Sequence, residues 1–70
     1  MVNSQLLDAR IEKSGLKYSY IYETLGISRT AFLKKRNNKY PFRGAEIYTL
    51  CDLLKIPEDE KMAIFFADNV

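Results

Sequence analysis

The apolar residues of this sequence recur at helical spacing, and this periodicity constrains its fold more than any other feature. Leu7 and Ile11 lie one turn apart. A later segment has the i, i+3, i+4, i+7 pattern of a helix that buries one face, at Ile47, Leu50, Cys51 and Leu54. No segment alternates apolar with polar residues for long enough to predict a strand. The sequence therefore predicts an all-α fold in which Cys51 packs into the core.

Residues that start or stop helices divide the chain into five predicted helices. The expected ranges are about Asn3–Ser14, Tyr18–Leu25, Ser28–Asn37 and Gly44–Leu54, with Pro57 in the first turn of a fifth helix. Glycine at 15 and 26 supplies a left-handed exit without steric cost, and asparagine at 37 and 38 tolerates the same geometry. The acidic residues 58–60 suit the positive end of the dipole of the last helix.

The composition describes one small globular domain over residues 1–70. The chain of 70 residues is 47% hydrophobic and 29% charged, with 3 Gly and 2 Pro, which excludes disordered and fibrous classes. With one Cys and no His it cannot close an internal disulfide, and it lacks the ligands of common zinc or haem sites. No apolar run is long enough to span a membrane. We expect a cytoplasmic protein without cofactor, metal or small-molecule ligand.

The net charge of +2 conceals an uneven distribution of charge along the chain. Residues 1–28 are neutral overall, and residues 44–70 carry a net charge of −4. Residues 29–43 contain no acid and six bases: Arg29, Lys34, Lys35, Arg36, Lys39 and Arg43. This segment is typical of a surface that binds a polyanion, and a solvated helix face is the alternative interpretation.

Two short helices joined by a turn at Gly26 have the spacing of a helix-turn-helix, whose second helix enters the DNA major groove. If Phe32 points into the core, a helical step of about 100° per residue places Thr30, Lys34 and Asn37 on the outward face. Arg29 lies in the first turn, where a long side chain extends past the helix end.

The chemistry of these side chains suits the reading of DNA. Arginine and lysine donate to guanine, hydroxyl groups bond several base edges, and an apolar group such as Leu33 fits a thymine methyl. Lys39, Arg43, Asn38 and Tyr40 are candidates for phosphate contacts that fix the register. Residues 35 and 36 project sideways, either onto phosphates or over the core.

From about Leu6 to Phe66 the chain resembles the lambda-repressor-like (Xre/Cro) helix-turn-helix family of small phage repressors. The resemblance lies in Gly15-Leu16, Leu25-Gly26-Ile27-Ser28-Arg29, Phe32-Leu33-Lys34-Lys35, Asn37-Asn38-Lys39, Phe42 and Glu46-Ile47. The ending Ile64-Phe65-Phe66 is similar to the last helix of Cro-like proteins from phages of Gram-positive bacteria. The resemblance implies a five-helix bundle that binds an operator as a dimer. It places the base readers at Ser28, Arg29, Thr30 and Lys34.

Three positions depart from the pattern of this family. Tyr22 stands where the family prefers alanine at a close helix crossing, and Asn38 replaces the usual glycine. Lys17 replaces the Ser or Thr that usually caps the second helix. We expect Lys17 and Tyr18 to contact phosphate together with Asn37, Asn38, Lys39 and Arg43, although solvent exposure also accounts for Lys17.

The sequence thus predicts a DNA-binding transcriptional regulator that is not an enzyme, because no histidine or Gly-rich phosphate loop is present. A homodimer is expected, with a candidate interface at Ile64, Phe65, Phe66 and Val70. Tyr20 and Tyr22 are expected to be partly buried. The alternatives are a protein-interaction module, such as an antirepressor or antitoxin-like partner that keeps the fold without reading DNA, and a nonspecific nucleoid binder.

Overall fold

A computed structural model of the chain describes residues 1–67 and contains five α-helices there, with no strand. The helices are α1 (Ser4–Ser14), α2 (Tyr18–Thr24), α3 (Arg29–Arg36), α4 (Gly44–Leu53) and α5 (Glu58–Phe65). The predicted all-α class and the predicted number of helices are confirmed for the described part of the chain. Predicted and observed helix boundaries agree to within about one residue, because most of the capping residues act as their chemistry indicates.

Side chains cap the starts of α1 and α3, and glycines end α1 and α2. The Asn3 carboxamide oxygen accepts a hydrogen bond from the Leu6 amide at 3.1 Å and caps α1, which ends at Gly15 with φ of 71°. Gly26 follows α2 with φ of 75°. The Ser28 hydroxyl accepts from the Ala31 amide at 3.1 Å and caps α3.

The ends of α3 and α4 share one hydrogen-bonding pattern around a left-handed residue. After α3, Asn38 has φ of 67°, and the Lys39 amide donates to the Lys34 carbonyl at 2.8 Å. After α4, Lys55 has φ of 57°, and the Ile56 amide donates to the Cys51 carbonyl at 2.9 Å. Both are Schellman motifs. Left-handed geometry at Asn38 was expected, whereas Lys55 carries no sequence signal for it.

The core gathers one or more side chains from every helix. Its fully buried members are Leu7, Ile21, Phe32, Leu50 and Ile64. Four aromatic rings meet edge to face in a row, with centroid distances of 5.4 Å for Tyr18–Phe32, 5.8 Å for Phe32–Phe42 and 5.9 Å for Phe42–Phe65. Cys51 is half-buried against this core, and burial raises the pKa of its thiol.

Ion pairs join helices that are distant in sequence. The Arg10 guanidinium donates to both carboxylate oxygens of Glu60, which links α1 to α5, and its Nε lies 2.8 Å from Oε1. Arg36 binds Asp8 and links α3 to α1, and Lys35 binds Glu46 and links α3 to α4. Helix α3 is therefore held from two sides near its carboxyl end.

Several side chains differ in exposure from what the sequence predicts. Ile64 and Phe65, two residues of the candidate dimer interface, are buried in the core and offer almost no surface. Phe66 remains 42% exposed, and Val70 lies outside the described residues. Tyr20 is 53% exposed because it faces away from the core on α2, contrary to the expected partial burial, whereas Tyr22 is half-buried.

None of the helices described over residues 1–67 has the length and apolar character that a bilayer crossing requires.

Candidate nucleic-acid interface

The turn over residues 25–28 determines how α3 begins. The Gly26 amide donates to the Glu23 carbonyl at 3.0 Å, and the Ile27 amide donates to the Tyr22 carbonyl at 3.1 Å. Leu25 and Ile27 pack half-buried against the core, while Ser28 is exposed and caps α3. The turn therefore buries its apolar members and leaves the first turn of α3 in contact with solvent.

The outward face of α3 carries the residues predicted to read bases. Arg29, Thr30 and Lys34 are exposed, and Phe32 on the opposite face is fully buried. Ser28 is exposed as well, and its hydroxyl keeps a proton to donate, because the oxygen acts as an acceptor in the helix cap. The four predicted base readers thus lie together at the surface.

Lys34 has an aromatic neighbour that the sequence analysis did not assign to it. Its ammonium lies 5.8 Å from the centroid of the exposed Tyr40 ring, within the range of a cation–π contact. Tyr40 lies in the loop between α3 and α4. The contact places the Lys34 ammonium beside the loop that follows α3.

The two basic residues beside this face have acidic partners inside the protein. The Lys35 ammonium lies 2.7 Å from both carboxylate oxygens of Glu46, and both side chains are largely shielded from solvent. Arg36 binds Asp8, and this hydrogen bond is the main cause that raises the pKa of the guanidinium. Lys35 and Arg36 therefore hold α3 in place. The sequence predicts that they extend either onto phosphates or over the core, and neither interpretation includes an ion pair.

Glu46 is the one buried charged residue of the described chain. Burial by itself would raise its pKa, but hydrogen bonds from Lys35 and from the Arg43 amide, at 2.9 Å for the latter, outweigh this effect and lower the pKa. The charges of Lys35 and Arg43 act in the same direction. The carboxylate is thus stabilised in its ionised form between α3 and α4.

The remaining bases of residues 29–43 are exposed and form no ion pair with residues 1–67. We call this group the unpaired cations; its members are Arg29, Lys34, Lys39 and Arg43. Lys17 is also exposed, at the amino end of α2, and makes no capping hydrogen bond. These side chains are available to an external anion.

The other predicted phosphate contacts differ in their availability. The Asn38 carboxamide exchanges two hydrogen bonds with the Val2 backbone, so its side chain is engaged in the fold. Tyr18 is half-buried against Phe32, and Asn37 is exposed but accepts a hydrogen bond from Arg36. Within the described residues, Lys17, Lys39 and Arg43 are the predicted phosphate contacts that are exposed and form no ion pair.

The acidic partners of α3 were missed by the sequence analysis. Asp8 lies 28 positions from Arg36, and Glu46 lies 11 positions from Lys35. No helical spacing connects such pairs, and the one available signal was that Glu46 is the only acid in the first turn of α4.

No group of three or more His, Cys, Asp and Glu side chains within residues 1–67 is arranged to hold a metal ion.

Comparisons with family models, with curated proteins and with solved structures give no match for this chain.

Proposed function

We propose that this protein binds double-stranded DNA sequence-specifically and regulates transcription in the cytoplasm, without catalytic activity. Helix α3 would enter the major groove, as the sequence resemblance to lambda-repressor-like proteins implies. The observation that carries the proposal is the division of α3 into a buried face at Phe32 and an exposed face with Arg29, Thr30 and Lys34. A helix with short polar and long cationic side chains on its open face has the shape and the donors that base edges accept.

The side chains of this face have distinct roles in the proposed complex. Arg29 and Lys34 donate to O6 and N7 of guanine, and the hydroxyls of Ser28 and Thr30 bond neighbouring base edges. Leu33 is half-buried at the flank of the helix, where its methyl groups can meet thymine. These contacts would provide the sequence preference.

Phosphate contacts would provide most of the affinity. Lys39 and Arg43 follow α3, and Lys17 precedes α2, so the cations flank the helix pair in sequence on both sides. Each of them is exposed and forms no ion pair within residues 1–67. Their neutralisation of phosphates would release counterions and make binding depend on salt.

We propose further that two copies bind one operator, because a domain of this size covers a single half-site. The exposed apolar residues Leu6, Met62 and Phe66 line one shallow groove, and they replace the buried Ile64 and Phe65 as interface candidates. Sedimentation at micromolar concentration, with and without DNA, tests this part of the proposal. A monomer under both conditions would refute it.

The main test is selection of bound sequences from a library of random DNA duplexes. We expect a discrete consensus, and the affinity for it should fall steeply between 50 and 200 mM salt, as phosphate contacts require. The matched control is the protein with Arg29→Ala and Lys34→Ala, which should no longer enrich the consensus.

Two results of this selection would contradict the proposal. Equal enrichment of all sequences would favour a nonspecific nucleoid binder. Absence of DNA binding would favour a protein-interaction module, whose binding through apolar surface should be nearly independent of salt.

A further inference from the structure

The first four residues hydrogen-bond to the carboxyl end of α3. The Val2 amide donates to the Asn38 carboxamide oxygen at 2.7 Å, and the Asn38 Nδ2 donates back to the Val2 carbonyl at 3.0 Å. The Ser4 hydroxyl donates to the carbonyl of Arg36, the last residue of α3, at 2.6 Å. One side-chain amide thus pairs with both polar groups of a backbone residue 36 positions away.

The same four residues also bond to the carboxyl end of α5. The Asn3 amide donates to the Ile64 carbonyl at 2.7 Å, and the Ala67 amide donates to the Met1 carbonyl at 3.0 Å. The Val2 side chain is buried in the core. We name residues 1–4 the N-terminal strap, since they join the end of α3 to the end of α5; the last of them, Ser4, is the first residue of α1.

Asn38 is better suited to this contact than the glycine usual at such a position. Its left-handed φ of 67° disfavours a side chain, and glycine would take it without steric cost. Glycine, however, has no carboxamide to bind Val2. The same motif after α4 holds Lys55 at φ of 57°, whose side chain makes no hydrogen bond to residues 1–67, so the two positions form an internal comparison.

We infer that the N-terminal strap sets the position of α3, and that Asn38 is a positioning residue rather than a phosphate contact. The turn over 25–28 fixes the amino end of α3, and the strap fixes the carboxyl end. Helix α3 is eight residues long, so a shift at Arg36 displaces Lys34 and Thr30 directly. The part of this inference that concerns DNA rests on the proposed function, whereas the part that concerns the fold does not.

The fold is tested by Asn38→Gly, with Lys55→Gly as the matched control. Each change removes a side chain from a left-handed position, but only the first removes the bonds to Val2. We expect amide exchange at Val2 to become about tenfold faster in Asn38→Gly and to stay unchanged in Lys55→Gly. The melting temperature should rise in Lys55→Gly and should not rise in Asn38→Gly.

Unchanged exchange at Val2 in Asn38→Gly would overturn the inference. Asn38→Asp provides a second measurement if Asn38→Gly is poorly folded. Its carboxylate can accept from the Val2 amide but cannot donate to the Val2 carbonyl, so Val2 should keep part of its protection. If the Val2 amide of Asn38→Asp exchanges as fast as in an unfolded chain, the inference is likewise overturned.

Binding experiments distinguish positioning from phosphate contact. With the selected consensus and a scrambled duplex, Asn38→Gly should reduce the ratio of the two affinities and leave the salt dependence unchanged. A phosphate contact predicts the reverse: equal weakening on both duplexes and a smaller salt slope, which would overturn the inference. The exchange measurements need no DNA, so a failure of the proposed function leaves them interpretable.

Discussion

Adjacent basic residues of α3 have opposite surroundings. Lys34 is exposed and lies beside the Tyr40 ring, whereas Lys35 is enclosed with the Glu46 carboxylate. Arg36 likewise binds Asp8, while Lys39 and Arg43 are exposed and form no ion pair within residues 1–67. The net charge of +6 over residues 29–43 therefore overstates the charge offered to a ligand, because the fold neutralises two of the six bases.

The largest expected effect comes from removing the partner of an enclosed cation. Glu46→Ala leaves the Lys35 ammonium with little solvent and no counterion, so the free energy of unfolding should fall by about 2 to 4 kcal/mol. Urea denaturation measures this loss of unfolding free energy. Glu23→Ala, at an exposed acid on α2, is the control and should stay within about 0.5 kcal/mol of the parent protein. Equal stability of the two variants would contradict the assignment of Lys35 and Glu46 to the fold.

Lys34→Ala and Lys35→Ala compare neighbouring lysines directly. Lys34→Ala should cost about 1 to 3 kcal/mol of binding free energy at one base pair and leave the unfolding free energy nearly unchanged. Lys35→Ala should mainly destabilise the protein, because it leaves the Glu46 carboxylate buried without its ammonium partner. Titration of consensus and single-base variants, together with urea denaturation, separates the two outcomes. A loss of stability in Lys34→Ala would argue against its exposure.

A smaller effect on DNA binding is expected for cations that contact phosphate groups and no base. Lys39→Ala should weaken binding to all duplexes alike. The slope of log binding constant against log salt concentration should become smaller in magnitude by about one. Lys13→Ala, at an exposed lysine on α1, serves as the control and should leave the slope unchanged. If the two variants have the same slope, Lys39 does not belong to the interface.

The pH dependence of stability gives the smallest effect. Because the pKa of Glu46 is lower in the folded protein, its ionisation stabilises the fold at pH values above the ordinary glutamate pKa of 4.5. This stabilisation is lost as the pH falls through the lowered pKa. The stability difference between the parent protein and Glu46→Gln should therefore be constant above about pH 4.5 and shrink below it. Thermal melts over pH 3–7 measure this, and a difference that grows in acid would refute the assigned pKa direction.

Local chemistry made the helices predictable from the sequence. Gly15, Gly26 and Asn38 take the left-handed geometry that ends a helix, and Ser28 caps α3, as their residue types indicate. After α4, Lys55 takes the same geometry without the residue type that favours it, so a left-handed residue was not predicted at this helix end. There, the burial of Leu54 and Ile56 on both sides outweighs the backbone preference of lysine.

Helical periodicity predicted which residues of α3 face solvent, but it did not predict the other contacts of the site. Once Phe32 is placed in the core, the exposure of Thr30 and Lys34 follows from the 3.6-residue period. The partners of Lys35 and Arg36 depend on how α1 and α4 pack against α3, which periodicity does not encode. The same reason accounts for Asn38, whose partner Val2 is near the opposite end of the chain.

The row of aromatic rings has a consequence for how the protein unfolds. Tyr18, Phe32, Phe42 and Phe65 connect α2, α3, the following loop and α5 through successive edge-to-face contacts. Opening of α3 alone would withdraw Phe32 and break its ring contacts with Tyr18 and Phe42. We therefore expect α3 to melt together with the rest of the domain, so that the surface at Arg29 and Lys34 is lost only when the domain unfolds.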